Sequence, residues 1–321
     1  MKIISRVLFV ASFVGVALAG DWDCSTTSGV FERSTDCTMG DEVAVSGNLT
    51  VTGKETVYST LTAASGKRHF TNTSGARTLT QKWLNNKGAD ISGNSGEDAK
   101  GGSIYVKDVA AHLNISHCVF FKNRAGSGGA IYARDGQANL FFSFARFTEN
   151  KAEQSYSGGG AVYLYNAKLV DHSSMYNMNT AAGSYGGALN LNYGSHSSLF
   201  NSSLVSNTAG WGGGGIYIWG YSSDPSFFNM SSVTLQSNKQ IGGGLGGVSG
   251  GGGLYLKYKV TANIRECTFI RNEATEGSTG NKHGHQVFTR KGSSSIPSIA
   301  IVNTNFTDVS GSHPFYGYDW D

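Results

Sequence analysis

Two acid and base pairs stand one repeat apart in this chain, since Asp108 follows Lys107 and Asp135 follows Arg134. Paired carboxylates beside cations are what cleavage of an acidic polysaccharide needs. A hydrolase converges two carboxylates on one glycosidic bond, and a lyase pairs an Arg or Lys base with a bound cation such as calcium. The next repeat carries Asn166 at the acid position and no third acid joins the set. Asp135-Gly136 is also a common turn signal, so the four residues read more cheaply as structure than as catalysis. No cofactor is expected outside the lyase reading, where calcium enters.

A second set of residues suits binding. Counting along each repeat pairs Tyr105 with Lys107, Tyr132 with Arg134, Tyr163 with Tyr165, Asn190 with Asn192, Tyr217 with Trp219, Tyr255 with Lys257, and Phe288 with Arg290. Flat rings stack on sugar faces, and cationic or amide donors hold carboxylates and sulfates, so an exposed strip of this kind fits a polysaccharide or cell-surface glycan. Stacked tyrosines that merely stabilise a sheet face are the plainer alternative. The histidines make no metal constellation: His283 and His285 flank Gly284 and the other six are scattered, whereas zinc needs three or four converging ligands. The glycine string of residues 242–255 lacks a Lys-Ser/Thr ending and opens no helix, so it is no phosphate loop and reads as a flexible excursion between coils.

The element that positions these residues is a repeat. A glycine-led strand recurs as GGSIY, GGAIY, GGAVY, GGALN, GGGIY, GGGLY and GHQVF, its last residues spaced by 27, 31, 27, 27, 38 and 33. Each copy is followed by a second short strand that usually ends in Asn. Period-two alternation within the strands puts alternate side chains on opposite faces. One face then lines up Ile104, Ile131, Val162, Leu189, Ile216, Leu254 and Val287, and the second strand lines up Phe120, Phe147, Tyr176, Leu204, Leu235, Phe269 and Phe306. No single copy can bury such a face, but stacked copies bury it continuously. The expected fold is therefore all-β, a single-stranded right-handed parallel β-helix with an N-terminal cap.

Seven coils at about 4.8 Å each make a rod on the order of 30 Å long. Gly pairs mark its corners. The column Asn123, Asn150, Asn179, Asn207, Asn238 and Asn272 sits where left-handed geometry and axial hydrogen bonding are expected. Cys118 and Cys267 share a column five coils apart, too far for a disulfide, and should be buried thiols. Asp171 falls on the inward column of Ile115, which points to a local register shift rather than to a buried acid.

The paired motifs GGAI and FxxN, as in GGAIY ending at Tyr132 and FFKN ending at Asn123, resemble the repeats of the chlamydial polymorphic outer-membrane proteins. The resemblance covers about residues 101–310. It implies a right-handed β-helix passenger acting as an adhesin or surface antigen. The C-terminal barrel that carries such passengers has no counterpart here, so a free secreted rod is expected instead.

Export fits the N-terminus, where Lys2 and Arg6 precede an apolar run and Ala17-Leu18-Ala19, the layout of a signal peptide over residues 1–19. Residues 20–100 then read as cap and early coils, 101–310 as β-helix repeats and 311–321 as a tail. Sequons at Asn48, Asn72, Asn114, Asn201, Asn229 and Asn305 are glycosylation acceptors in a eukaryotic host. Cys24 and Cys37 are expected to close a disulfide. With 45 glycines, 3 prolines and 15% charged residues against a usual ~25%, the chain is not an ordinary globular protein. Its net charge of +3 is small for nucleic-acid binding, and no later segment is long enough for stable membrane insertion. The expected function is a secreted or surface-displayed, non-enzymatic adhesin or carbohydrate-binding rod. A polysaccharide lyase or glycoside hydrolase and a purely structural wall protein are the alternatives.

Overall fold

The computed structural model describes residues 21–307, apart from 74, 108–109, 136–137, 243–249, 276–284 and 293–294, together with the strand Phe315–Tyr318. The expected signal peptide, Asp108 and His283 thus lie outside the described residues. One coil runs through strands His112–Ser116, Val119–Phe121, Arg124–Ala125 and Ile131–Arg134 before the next begins at Asn139. Like strands of successive coils pair in parallel, giving three sheets of ten strands and a fourth of six two-residue strands. The result is an all-β right-handed parallel β-solenoid. Strands Leu49–Thr52, Ser59–Thr62 and Phe70–Asn72 already belong to the three long sheets. Their coils lack the Gly pair, and the fourth sheet starts only at Arg124–Ala125.

The interior is built from the two apolar columns. Ile104 through Val287 pair rung to rung and are fully buried. In the second column Phe120, Phe147 and Tyr176 stack with centroids 4.9 Å apart, the coil spacing itself. In the six coils from Gly101 to Gly252, two adjacent glycines turn the chain into the third long sheet, that of Ile131–Arg134, for different reasons. Gly186 sits at φ +67°, where a side chain is strained, while a Cβ on Gly187 would lie 2.1 Å from the Gly214 carbonyl oxygen.

Left-handed geometry falls one residue before each Asn, not on it: Lys122, Glu149, Met178, Ser206, Ser237 and Arg271 have φ between 47° and 56°. That corner aims the following Asn inward, where all six are fully buried. Asn150 accepts at Oδ1 from the backbone N–H and the side-chain amide of Asn123, both at 3.0 Å, and donates to the Phe120 carbonyl and to Asn179 Oδ1, both at 2.9 Å. The pattern repeats to Asn272, which donates to Gln286. Axial hydrogen bonding is therefore what the Asn column supplies, and it offsets the cost of an L-residue in the left-handed region, about 1–2 kcal/mol.

Cys24 and Cys37 form a disulfide with Cα atoms 6.5 Å apart. Cys118 and Cys267 are buried free thiols, and burial pushes Cys118 up to about 12, far from a reactive thiolate.

Asp171 corrects the register-shift expectation. It pairs in register between Phe142 and Leu199, fully buried and facing inward. A polar island receives it: Tyr176 and Ser202 donate to Oδ2 at 3.2 and 3.1 Å, while Oδ1 has no hydrogen-bond partner. Burial pushes this carboxyl up from 3.8 to about 6, against hydrogen bonds from Ser174, Ser202 and Tyr176. Between those two values the native chain holds the proton and the unfolded chain does not. The stabilisation from protonation is thus present below about 4 and lost as pH rises through about 6. Urea unfolding at pH 4 and pH 7 is expected to show Asp171→Asn gaining about 2–3 kcal/mol on the wild type between the two, and an unchanged gap contradicts the buried acid.

Candidate ligand-binding face

The third sheet carries the predicted aromatic ladder on the side away from the Ile column, but that ladder is not exposed. Tyr105, Tyr132 and Tyr163 retain 5%, 5% and 8% of their surface, and Asn190, Tyr217, Tyr255 and Phe288 at most 1%. Segments between the short fourth sheet and the third cover them. Tyr185 stacks on Tyr217 at 4.3 Å, with Trp211 edge-on to Tyr185 at 5.4 Å. Toward the N-terminus Arg68 lies 5.1 Å from the Tyr105 ring and Lys100 5.1 Å from the Tyr132 ring, and Tyr105 donates to Glu97. Tyr132 and Tyr163 stack at 4.7 Å. These rings form a second core and cannot stack on a sugar.

The described acid and base candidates, Lys107, Arg134 and Asp135, are also tied up. Arg134 donates to Asp135 at 2.9 Å and to Glu97 at 2.8 Å, and Lys107 lies 3.8 Å from the same Glu97. Glu97 is the third acid that sequence reasoning did not find; it stands on a 3-10 turn, Gly96–Ala99, 37 residues before its arginine. Burial opposes its ionisation, but the hydrogen bond and charge of Lys100 and the charges of Arg134 and Lys107 outweigh it and hold the carboxyl below its ordinary value. A general acid needs the opposite shift. The group is an ion-pair network.

What the third sheet does expose is the row two residues further on, toward its C-terminal coils. Tyr165, Trp219, Lys257 and Arg290 are half-buried, while Asn192 is buried and donates to the Tyr163 hydroxyl at 3.0 Å. Three tyrosines not foreseen from the repeat join them. Tyr193 bridges Tyr165 and Trp219, with centroids at 4.8 and 4.6 Å, and Tyr221 and Tyr258 each lie 6.2 Å from Trp219. Tyr193 and Tyr258 occupy left-handed corners, at φ +45° and +63°, so their rings leave the strand beside its last outward side chain. The available signal was an aromatic directly after the outward position or one residue beyond, as in LNY and WGY. Lys257 Nζ lies 4.1 Å from the Trp219 ring and 4.9 Å from Tyr258. Burial, with the charge of Arg290 added, lowers Lys257 to about 8. Trp219 Nε1 and the Tyr217 hydroxyl have no hydrogen-bond partner.

The left-handed corners between the first and second sheets carry rings as well, with Phe144 stacked on His117 and Trp83 tilted against it, yet the outward residues of the adjoining first sheet include the sequons Asn114 and Asn229. Asn48, Asn201 and Asn305 are likewise exposed. Asn72 is the exception: it is fully buried and donates to the Arg77 carbonyl, so the folded chain cannot present its amide to a transferase. Among the described residues no group of three or more His, Cys, Asp or Glu is placed to hold a metal.

The Chlamydia polymorphic membrane protein (Chlamydia_PMP) repeat matches residues 117–134. That stretch runs from the His117 corner through Asn123 and the Gly pair to Arg134, one full FxxN and GGAI doublet. No curated protein and no solved structure matches the chain. Among the described residues no helix is long and apolar enough to cross a membrane. The matched repeat and the solenoid fold together suggest a surface protein.

Proposed function

We propose that this chain is a secreted or surface-displayed, non-enzymatic rod that holds a glycan on the aromatic cluster of its third sheet. The observation that carries the reading is the run of half-exposed rings around Trp219, Tyr165 to Tyr193 to Trp219 with Tyr221 and Tyr258 beside it. Sugar rings present flat C–H faces that match flat aromatic surfaces, and a row of rings several coils long selects a chain over a single sugar. The rigid solenoid fixes the rings in advance, which lowers the ordering cost of binding. The ion pairs that engage Lys107, Arg134 and Asp135 favour binding over bond cleavage.

A polysaccharide array on which retained protein and released reducing or unsaturated ends are both recorded tests this. Trp219→Ala is expected to weaken retention about 2–12-fold, the scale of one aromatic stack, with no products released. Product formation that disappears in Asp135→Ala sinks the binding-only reading and restores the lyase or hydrolase.

A further inference from the structure

We infer that the cluster around Trp219 takes a sugar bearing a carboxylate, with the acid group seated on Lys257. This inference rests on the glycan-binding reading above and names the chemistry of its ligand.

The third sheet holds an internal comparison. In register along one row stand Lys107, Arg134, Tyr165, Asn192, Trp219, Lys257 and Arg290. At the N-terminal end of that row the chain supplies its own carboxylate. Glu97 spans Lys107 at 3.8 Å, Arg134 at 2.8 Å and Lys100 at 2.5 Å, and the buried Tyr105 hydroxyl also donates to it. Asp135 takes the remaining edge of Arg134. A similar layout recurs toward the C-terminal end, where Lys257 stands in the row above a buried tyrosine column, but no acid among the described residues pairs with it. No carboxylate among the described residues lies within ion-pair distance of Lys257, whose ammonium rests on Trp219 and Tyr258.

A partly desolvated ammonium with no counter-charge is costly, and Arg290 on the next coil adds repulsion. That cost is visible in the lowered proton affinity of Lys257. A ligand that brings an acceptor-only anion on a flat ring answers both the rings and the excess charge. A uronic acid is that combination, and the Glu97 network shows that a planar carboxylate fits the row.

Calorimetric titration of the full chain with oligogalacturonate, its methyl ester and sulfated dextran tests this. The ester keeps every ring and removes only the charge. The acid is expected to bind at least tenfold tighter than the ester. Lys257→Met should abolish that difference, and Lys257→Arg should restore it. Equal affinity for acid and ester, or an acid preference that survives Lys257→Met, overturns the carboxylate seat while leaving the platform intact. Preference for sulfated dextran overturns the carboxylate in favour of a sulfate. Ester binding indifferent to Trp219→Ala, or no binding of any probe, overturns the platform and the seat together.

Discussion

Gly187→Ala is expected to destabilise the rod by about 4 kcal/mol or more, the scale reserved for substitutions with no room to relax. A Cβ there would stand 2.1 Å from the Gly214 carbonyl oxygen, 2.6 Å from the Thr208 nitrogen and 2.7 Å from the Thr208 carbonyl carbon. All three are backbone atoms of the next coil. Side chains can rotate out of a clash, but a backbone held in two parallel sheets cannot, so the coils must separate. Gly183→Ala supplies the control, because its nearest contact would be Ser155 Oγ at 3.4 Å and its φ lies outside the left-handed region. It is expected to change stability by less than about 0.5 kcal/mol. Urea unfolding of both variants checks the pair, and equal effects contradict the close approach of successive coils.

Asn179→Leu keeps the heavy-atom count and the branch at Cγ and removes four hydrogen bonds. Asn179 donates to the Phe147 carbonyl at 2.9 Å and to Asn207 Oδ1 at 3.0 Å, and accepts from the backbone and side-chain N–H groups of Asn150 at 3.0 and 2.9 Å. Leucine would leave the Phe147 carbonyl and both Asn150 donors buried without partners. At about 1–3 kcal/mol for each of these three orphaned groups, a loss of about 3–9 kcal/mol is expected. Because each coil contacts only its neighbours, the damage should be local at first. Hydrogen exchange at the Asn150 amide should accelerate well before that of the terminal coils. A loss under about 1 kcal/mol would mean that the ladder only marks the corner and does not hold it.

The inward half of each coil was legible because stacking forces it to repeat. Ile131 and Phe147 meet their own equivalents above and below, so any polar replacement leaves a mark in the column, and Asp171 is such a mark. Its explanation was also written there, in a Tyr at the Phe position of Tyr176 and serines at 174 and 202, but reading it needs the three columns together. The outward half was legible in direction only. Alternation correctly puts Tyr132 and Tyr217 opposite the Ile column. It carries no information on what covers them, since the covering segments around Glu97 and Tyr185 vary in length and composition from coil to coil. Tyr193 and Tyr258 escaped for a related reason: period two ends with the strand, and a left-handed corner then redirects the next side chain. The candidate site therefore moved from the regular ladder to its irregular margin.

The central claim is that a glycan lies across Trp219 on the third sheet. Indole N–H NMR resonances report on it directly, because the chain has five tryptophans and the described ones, Trp22, Trp83, Trp211 and Trp219, lie in different surroundings. Titration with oligogalacturonate is expected to shift the Trp219 indole signal and leave that of Trp83, at the corner between the first and second sheets, in place. A shift at Trp83 with Trp219 unmoved would contradict the account and transfer the binding face to the Trp83, His117 and Phe144 stack.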